Sequence, residues 1–268
     1  MAGRRIFYQL VAPLAVTVGP EEPRRRAAFL AAHAMPGTVA EVRSAARARD
    51  GIQGAWDAVE AGPAIVAGIR AAEAEGFDAA IVGCFSDPGL DAAREAVSIP
   101  VIGPGEASVH LALQAADRFS VLSPGEGGGA RTRAFLRAMG LESRLASVRG
   151  VGLSVPDMAR AAGEGRLEEA VDRIAAPAAA CVEEDGAEAL IFGCMSMAFL
   201  DPTPQIAARV NVPVINPVLA ALRTAECFAS LGLGHSRRRW PAAGNRPLVG
   251  LDDPHAEATR TQPMEVSR

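Results

Sequence analysis

Two of the four cysteines have the residue context of a paired acid and base. Cys84 and Cys194 each follow a glycine at the end of a short apolar run, and each precedes a serine by two positions, Ser86 or Ser196. One thiolate can take a proton from an acidic C–H group while a second thiol returns a proton to the opposite face of the carbon. A helix amino terminus can bring a thiol pKa of about 8.5 closer to neutrality. The pair is therefore expected to invert a carbon stereocentre.

An internal repeat supports this interpretation. The segment GFDAAIVGC at 76–84 recurs as GAEALIFGC at 186–194, and VSIPVIGP at 97–104 recurs as VNVPVINP at 210–217. A single Gly-Cys is most often a small buried thiol that fills space at a strand end. Because both copies retain the cysteine, the repeat favours catalysis and predicts one thiol on each side of a cleft.

The remaining cysteines, Cys181 and Cys227, fall inside predicted helices and have no counterpart in the repeat, so we expect them to be core thiols. No CxxC or HExxH spacing occurs, and the sequence predicts neither a metal site nor a disulfide. We expect the activity to need no cofactor.

The elements that must position the two thiols alternate in type along the chain. Strands are predicted at 6–11, 79–82, 101–102, 119–122, 189–192 and 214–215. Helices are predicted at 21–33, 64–75, 88–97, 106–116, 131–139, 166–184 and 218–231. This rhythm predicts an α/β fold with two similar lobes, each a parallel sheet flanked by helices, related by a pseudo-twofold axis with the active site in the cleft between them.

The repeat also suggests where the lobes begin and end. The first lobe is predicted to comprise 1–103 plus 217–235 and the second 104–216, followed by a C-terminal tail at 236–268. The Pro-, Thr- and Glu-containing end of that tail is expected to be partly disordered.

Composition limits the kinds of partner. The 268 residues are 49% hydrophobic and carry a formal charge of -4, which gives no broad basic surface for nucleic acid. The amino-terminal apolar stretch is too short for a signal peptide or a membrane span, so a cytoplasmic location is expected. A small-molecule substrate is the expected partner, and the sequence is compatible with a homo-oligomer without determining one.

Several motifs resemble the aspartate/glutamate/hydantoin racemase superfamily, and within it the hydantoin and allantoin racemases. The resemblance covers about residues 4–235 and depends most on GCFSDPGLDAARE at 83–95. It also includes FSV at 119–121, ASVR at 146–149 and the second Gly-Cys with VPVI at 212–215. The resemblance implies a cofactor-independent racemase with two catalytic cysteines in a cleft between lobes, here Cys84 and Cys194.

The chain also departs from the family pattern. An Asn-Pro-Asn-Thr-like loop commonly follows the first strand in the family, whereas Gln9 or Thr17 would have to supply its polar contact here. Met195, beside the second thiol, is bulkier than the usual small residue and would narrow the pocket.

Four further side chains are candidates for substrate binding. Ser86 and Ser196 either contact ring carbonyls or cap helices, and Ser123 ends the first strand of the second lobe. Asp87 either contacts the substrate or orients Cys84, but an aspartate before Pro88 favours a helix N-cap.

The charge of the predicted cleft loops distinguishes related reactions. The loops at 9–19, 84–90, 103–106, 194–202 and 216–218 contain no Arg or Lys, whereas carboxylate substrates normally require one. An uncharged five-membered cyclic ureide is therefore the favoured substrate. An aspartate or glutamate racemase, a maleate-isomerase-like enzyme and a non-catalytic small-molecule-binding protein remain as alternatives.

Overall fold

The computed structural model describes residues 3–45 and 47–244, except that nothing is described of the side chain of residue 159. Its strands are β1 (Arg4–Leu10), β2 (Thr38–Ser44), β3 (Ala79–Gly83), β4 (Val101–Ile102), β5 (Phe119–Ser123), β6 (Leu145–Gly150), β7 (Ala189–Phe192) and β8 (Val214–Ile215). Its helices are α1 (Leu14–Thr17), α2 (Glu21–His33), α3 (Ala55–Ala74), α4 (Leu90–Ala96), α5 (Pro104–Ala115), α6 (Gly129–Ala138), α7 (Val155–Gly163), α8 (Leu167–Glu183), α9 (Met195–Leu200), α10 (Thr203–Val210) and α11 (Pro217–Leu231). The tail residues 245–268, on which the prediction of disorder mainly falls, lie outside the described residues.

The strands form two parallel four-stranded sheets of equivalent topology. Their orders are β2-β1-β3-β4 and β6-β5-β7-β8. The register is also equivalent, since Tyr8 pairs with Ile81 in the first sheet and Val121 with Ile191 in the second. The predicted α/β fold of two similar lobes is confirmed, and Tyr8 and Val121 occupy matching positions.

Three apolar clusters explain why the strands form. β3 and β7 are buried along their whole length, as parallel strands covered on both faces must be. One cluster packs the outer face of the first sheet against α3 and α4, and another packs the outer face of the second sheet against α7, α8 and α10. The third cluster joins inner-face residues of both sheets to α9 and α11. The inner faces of the two sheets therefore share one apolar core.

Two edge strands and four short helices were not predicted. β2 and β6 each have intermediate burial along most of their length. Their sequences, TVAEVRS and LASVRG, mix polar and apolar residues and therefore lack the continuous apolar run expected of a buried parallel strand. α9 is buried at every position, so it has no polar face to give a helical period. α1, α7 and α10 have only 4, 9 and 8 residues.

Helix α3 begins nine residues before the predicted start at Ala64. The prediction placed the start after Pro63, but that proline lies inside the helix. Asp57 stabilises the earlier start because its carboxylate accepts backbone hydrogen bonds of 2.9 Å from Gln53 and Gly54.

Helix α11 packs against α5, β1 and β3 after the chain leaves β8. We propose on this basis the lobe boundaries at 103/104 and 216/217 that the repeat suggests. Residues 236–244 of the predicted tail pack on the first lobe: the Trp240 indole N–H donates to Asp91 at 2.8 Å, and the Arg94 guanidinium lies over the Trp240 ring.

Candidate active site

The glycine before each thiol lets its strand approach the neighbouring strand closely. A Cβ on Gly83 would lie 2.6 Å from the carbonyl oxygen of Gln9 and 2.7 Å from the Tyr8 ring. A Cβ on Gly193 would lie 2.7 Å from the side chain of Val121. All three distances are shorter than carbon side chains tolerate, so the glycine of each Gly-Cys pair is a packing requirement at the ends of β3 and β7.

Cys84 lies at the more open side of the site. Its thiol is half-buried, and its sulfur is 3.3 Å from the hydroxyl of Ser86, which is exposed. Burial raises the pKa of Cys84 to about 11, and the charges of Asp87 and Cys194 add to the increase, while the Ser86 hydroxyl opposes it. Cys84 is therefore a protonated thiol at neutral pH when no substrate is bound.

Cys194 lies immediately before α9 and is 9% exposed. Burial raises its pKa, whereas the backbone N–H groups of Met197 and Ser196 and the charge of Arg26 lower it. The expectation that a helix amino terminus would bring the thiols close to neutrality is wrong for both cysteines in this state, because desolvation is the larger effect.

The two thiols lie close enough to influence each other. A charge on Cys194 raises the pKa of Cys84. Burial raises the pKa of Tyr8, and charges on Cys84 and Cys194 add to that increase. Phe85, next to one thiol, and Met195, next to the other, belong to the same apolar cluster as Tyr8. The predicted arrangement of two thiols at the meeting point of the lobes is consistent with these contacts.

Asp87 caps a different helix from the one predicted. Its carboxylate accepts hydrogen bonds from the backbone N–H groups of Gly105 at 2.9 Å and Glu106 at 2.8 Å, both in the first turn of α5. The predicted cap of a helix at Pro88 is wrong because Asp87 and Gly89 have positive φ, which places a turn there and delays α4 until Leu90. Burial raises the pKa of Asp87 to about 7 despite the two backbone hydrogen bonds.

Gln9 does not join the thiols. Its amide donates to the carbonyl oxygens of Leu10 at 2.9 Å and Arg43 at 3.4 Å. Its side-chain oxygen lies where a Cβ on Gly68 of α3 would be. Because neighbouring residues of a strand face opposite sides of the sheet, Gln9 points outward and Tyr8 inward.

The other predicted binding residues are placed as follows. Ser123 is 8% exposed, and its hydroxyl lies against Gly128. Met195 and Ser196 are each 5% exposed at the start of α9. Thr17 is exposed on α1. Of this group, Ser196 has the most direct link to a thiol.

Two residues near the thiols were missed from the sequence. The hydroxyl of Tyr8 is fully buried and has no hydrogen-bond partner among the described residues. Arg26, in α2, is 2% exposed and donates to Ser196 Oγ at 2.8 Å and to Glu22 at 2.7 Å. Tyr8 gave no signal because it is one apolar residue among several in a strand, and Arg26 resembled part of a solvated basic face. The pairing Glu22–Arg26 at i,i+4 was the one available hint.

The two cysteines outside the repeat differ from each other. Cys181 is buried in α8, as expected of a core thiol. Cys227 is exposed on α11, so its predicted core position is wrong: its side of the helix faces away from the sheets.

Two features are absent from residues 3–45 and 47–244. No helix there combines the length and apolar character that crossing a membrane requires. No group of three or more His, Cys, Asp or Glu side chains there is arranged to hold a metal ion.

Comparisons with known proteins agree with the two-lobed α/β fold. Residues 24–225 match the family described as Asp/Glu/Hydantoin racemase. A hydantoin racemase of Rhizobium meliloti is 37% identical over 186 residues, which are 69% of this chain and 74% of the relative. A hydantoin racemase of Paenarthrobacter aurescens is 32% identical over 202 residues, which are 75% of this chain and 83% of the relative. The structure of an allantoin racemase from Klebsiella pneumoniae superposes with a TM-score of 0.80 at 28% identity, covering 92% of this chain and 97% of that one.

Proposed function

The chain belongs to the Asp/Glu/hydantoin racemase family and is an isomerase, and we propose that it racemises a five-membered cyclic ureide by passing a proton between Cys84 and Cys194. The substrate class is a 5-substituted hydantoin or allantoin, and no cofactor takes part. The observation that carries the proposal is the pair of glycine-cysteine strand ends, one from each lobe, which lie close enough for the charge of Cys194 to raise the pKa of Cys84. The relatives that are named as hydantoin and allantoin racemases support the substrate class.

The reaction needs one thiolate and one thiol. The thiolate takes the proton from the ring carbon that lies between a carbonyl group and a ring nitrogen, and the electron pair moves to the carbonyl oxygen as an enolate. The opposite thiol then donates its proton to the other face of the carbon and becomes the thiolate. The enolate of such a ring needs less stabilisation than the carbanion of an α-amino acid, so two thiols suffice.

Tyr8 supplies a hydrogen-bond donor to that enolate in this proposal. Burial raises the pKa of its hydroxyl, which therefore stays protonated at working pH. A buried hydroxyl without a partner costs the folded protein about 1–3 kcal/mol. Such a group is explained where a bound ligand supplies the missing acceptor. The position of its ring beside Gly83 and the effect of both cysteine charges on its pKa support this role.

An uncharged substrate also fits the charges of the site. The sequence showed no Arg or Lys in the cleft loops, but Arg26 reaches the site from α2. That guanidinium is already paired with the buried carboxylate of Glu22, so it does not offer the free cation that a dicarboxylate substrate would require.

The test is turnover of single enantiomers in deuterium oxide. We expect 5-substituted hydantoins or allantoin to lose optical rotation and to gain deuterium at the inverted carbon. Aspartate and glutamate serve as parallel substrates. Racemisation of an acidic amino acid with no turnover of any ureide would refute the proposed substrate class.

A further inference from the structure

The two halves of the site are not alike in charge. Ser86, beside Cys84, is exposed, and the charge of the buried Asp87 carboxyl raises the pKa of Cys84. Ser196, beside Cys194, is buried, and it contacts a guanidinium instead. The thiols and serines of the two lobes match in the repeat, but the charged groups next to them differ.

Arg26 is held firmly in place from one side. Glu22 Oε1 accepts from Arg26 Nε at 2.7 Å, and Glu22 also accepts from Arg25 at 2.8 Å. Burial alone would raise the pKa of Glu22, but the hydrogen bonds from both arginines hold it below its ordinary value. Arg25 Nη1 donates to the carbonyl oxygen of Phe199 at 3.0 Å, so two hydrogen bonds connect α2 to α9.

The direction of the hydrogen bonds follows from the chemistry of the groups. A guanidinium has only donors, so Ser196 Oγ must accept from Arg26 Nη2 at 2.8 Å. The hydroxyl hydrogen of Ser196 is then free to donate, and a hydrogen bond from this hydroxyl lowers the pKa of the Cys194 thiol. A thiolate accepts that hydrogen bond better than a thiol does, and a neighbouring positive charge strengthens it.

The charged groups that act on Cys194 are few. From α2, Arg26 lowers the pKa of Cys194, and its guanidinium is paired with the carboxylate of Glu22. Tyr8, from β1, is neutral because its pKa is raised, and Cys84, from the end of β3, is a thiol.

We propose that Arg26 is a positioning residue that acts through Ser196, and that it makes Cys194 the thiol that ionises first in the substrate-free enzyme. The inference deepens the proposed function, on which its catalytic meaning rests. The two thiols then start each encounter in different states, with Cys194 as the base and Cys84 as the acid. After one inversion the charge lies on Cys84, and exchange with solvent returns it to Cys194.

The experiment measures alkylation of each thiol by iodoacetamide as a function of pH, without substrate, by peptide mass spectrometry. The pH of the half-maximal rate is compared, because the thiols differ in exposure and their absolute rates will differ too. In the native sequence we expect Cys194 to reach half its maximal rate at a lower pH than Cys84.

Substitution at Arg26 should move only one of the two profiles. Arg26→Gln should raise the half-maximal pH of Cys194 by about one unit, which is a rate about ten times lower at a fixed pH below it, and leave Cys84 nearly unchanged. Arg26→Lys, which keeps the charge, should restore part of the shift. Arg24→Gln is the matched control, since Arg24 lies on the same helix in an exposed pair with Glu21 and should change nothing.

Ser196→Ala keeps the test decisive if Arg26→Gln fails to fold. It leaves the Arg26–Glu22 pair intact and removes the hydroxyl, so the Cys194 profile should again move to higher pH. The proposal is overturned if Cys84 ionises first in the native sequence, or if the Cys194 profile stays unmoved in the folded variants. Because no substrate is present, this result is independent of whether the enzyme acts on a ureide.

Discussion

Replacing Tyr8 by phenylalanine should make the protein more stable and less active. The substitution keeps the ring and its edge contact with Phe199 at 5.6 Å, and removes a buried hydroxyl that has no partner among the described residues. Leaving such a group unsatisfied costs about 1–3 kcal/mol, so a gain of about 1 kcal/mol in the free energy of unfolding is expected. For a protein of this size the melting temperature should rise by roughly 2–4 °C.

The activity should change in the opposite direction. A hydrogen bond to an oxygen that becomes charged contributes about 1.5–3 kcal/mol. At about 1.4 kcal/mol for each tenfold change, kcat/KM should fall by roughly ten- to a hundredfold. Thermal unfolding and the racemisation rate with a ureide are measured on the same preparation.

The control is a buried hydroxyl that does have partners. Ser120 Oγ bonds to Ser147 Oγ at 2.8 Å and accepts from the Ser147 N–H at 3.1 Å. Ser120→Ala should therefore lose stability and keep its turnover. If the Tyr8→Phe variant also lost stability and racemised the substrate at the native rate, the hydroxyl would have a structural partner and no substrate role.

Two further predictions concern the packing of the strand ends and the pH dependence of stability. Gly83→Ala and Gly193→Ala should each lower the free energy of unfolding, measured by chemical denaturation, by about 1–3 kcal/mol or more, because the new Cβ meets fixed neighbours. Gly62→Ala in α3 is the control and should be neutral or stabilising, since nothing lies within 4 Å of its Cβ. Equal effects at all three sites would contradict the reasoning. His235 Nε2 accepts from the Val101 N–H at 2.7 Å, and burial lowers the pKa of this imidazole to about 4. The unfolded chain therefore binds more protons than the folded chain between pH 6.5 and 4. The contribution of neutral His235 to the free energy of unfolding is thus present above pH 6.5 and is lost as the pH falls towards 4. Denaturation at a series of pH values should show that slope in the native sequence and a smaller one in His235→Gln, and identical slopes would remove the argument.

The sequence predicted those parts of the fold that depend on local pattern. Helix α2 was predicted with its observed bounds because an alanine-rich run with acidic residues in its first turn defines both ends. The repeat then predicted that β3 and β7 are equivalent. β2 lies at a sheet edge with mixed polarity, and α9 is buried all round, so neither produced a period.

The site was predictable only where the repeat duplicated it. Ser196 was a candidate because Ser86 matched it, but its contact with Arg26 spans 170 positions and depends on how α2 packs on α9. Asp87 shows the same limit, since its partners are 18 and 19 positions away and the local Asp-Pro signal indicated the wrong helix. Contacts between distant elements carry no local signature.

The most direct test of the two-thiol mechanism is hydrogen exchange by single cysteine variants in deuterium oxide. Cys84→Ser and Cys194→Ser should each abolish inversion of a pure ureide enantiomer, since every inversion needs both sulfur atoms. Each variant should still exchange the hydrogen of one enantiomer without inverting it, and the two variants should act on opposite enantiomers. The exposed Cys227→Ser variant should retain native turnover. Racemisation at close to the native rate by either Cys84→Ser or Cys194→Ser would contradict the account.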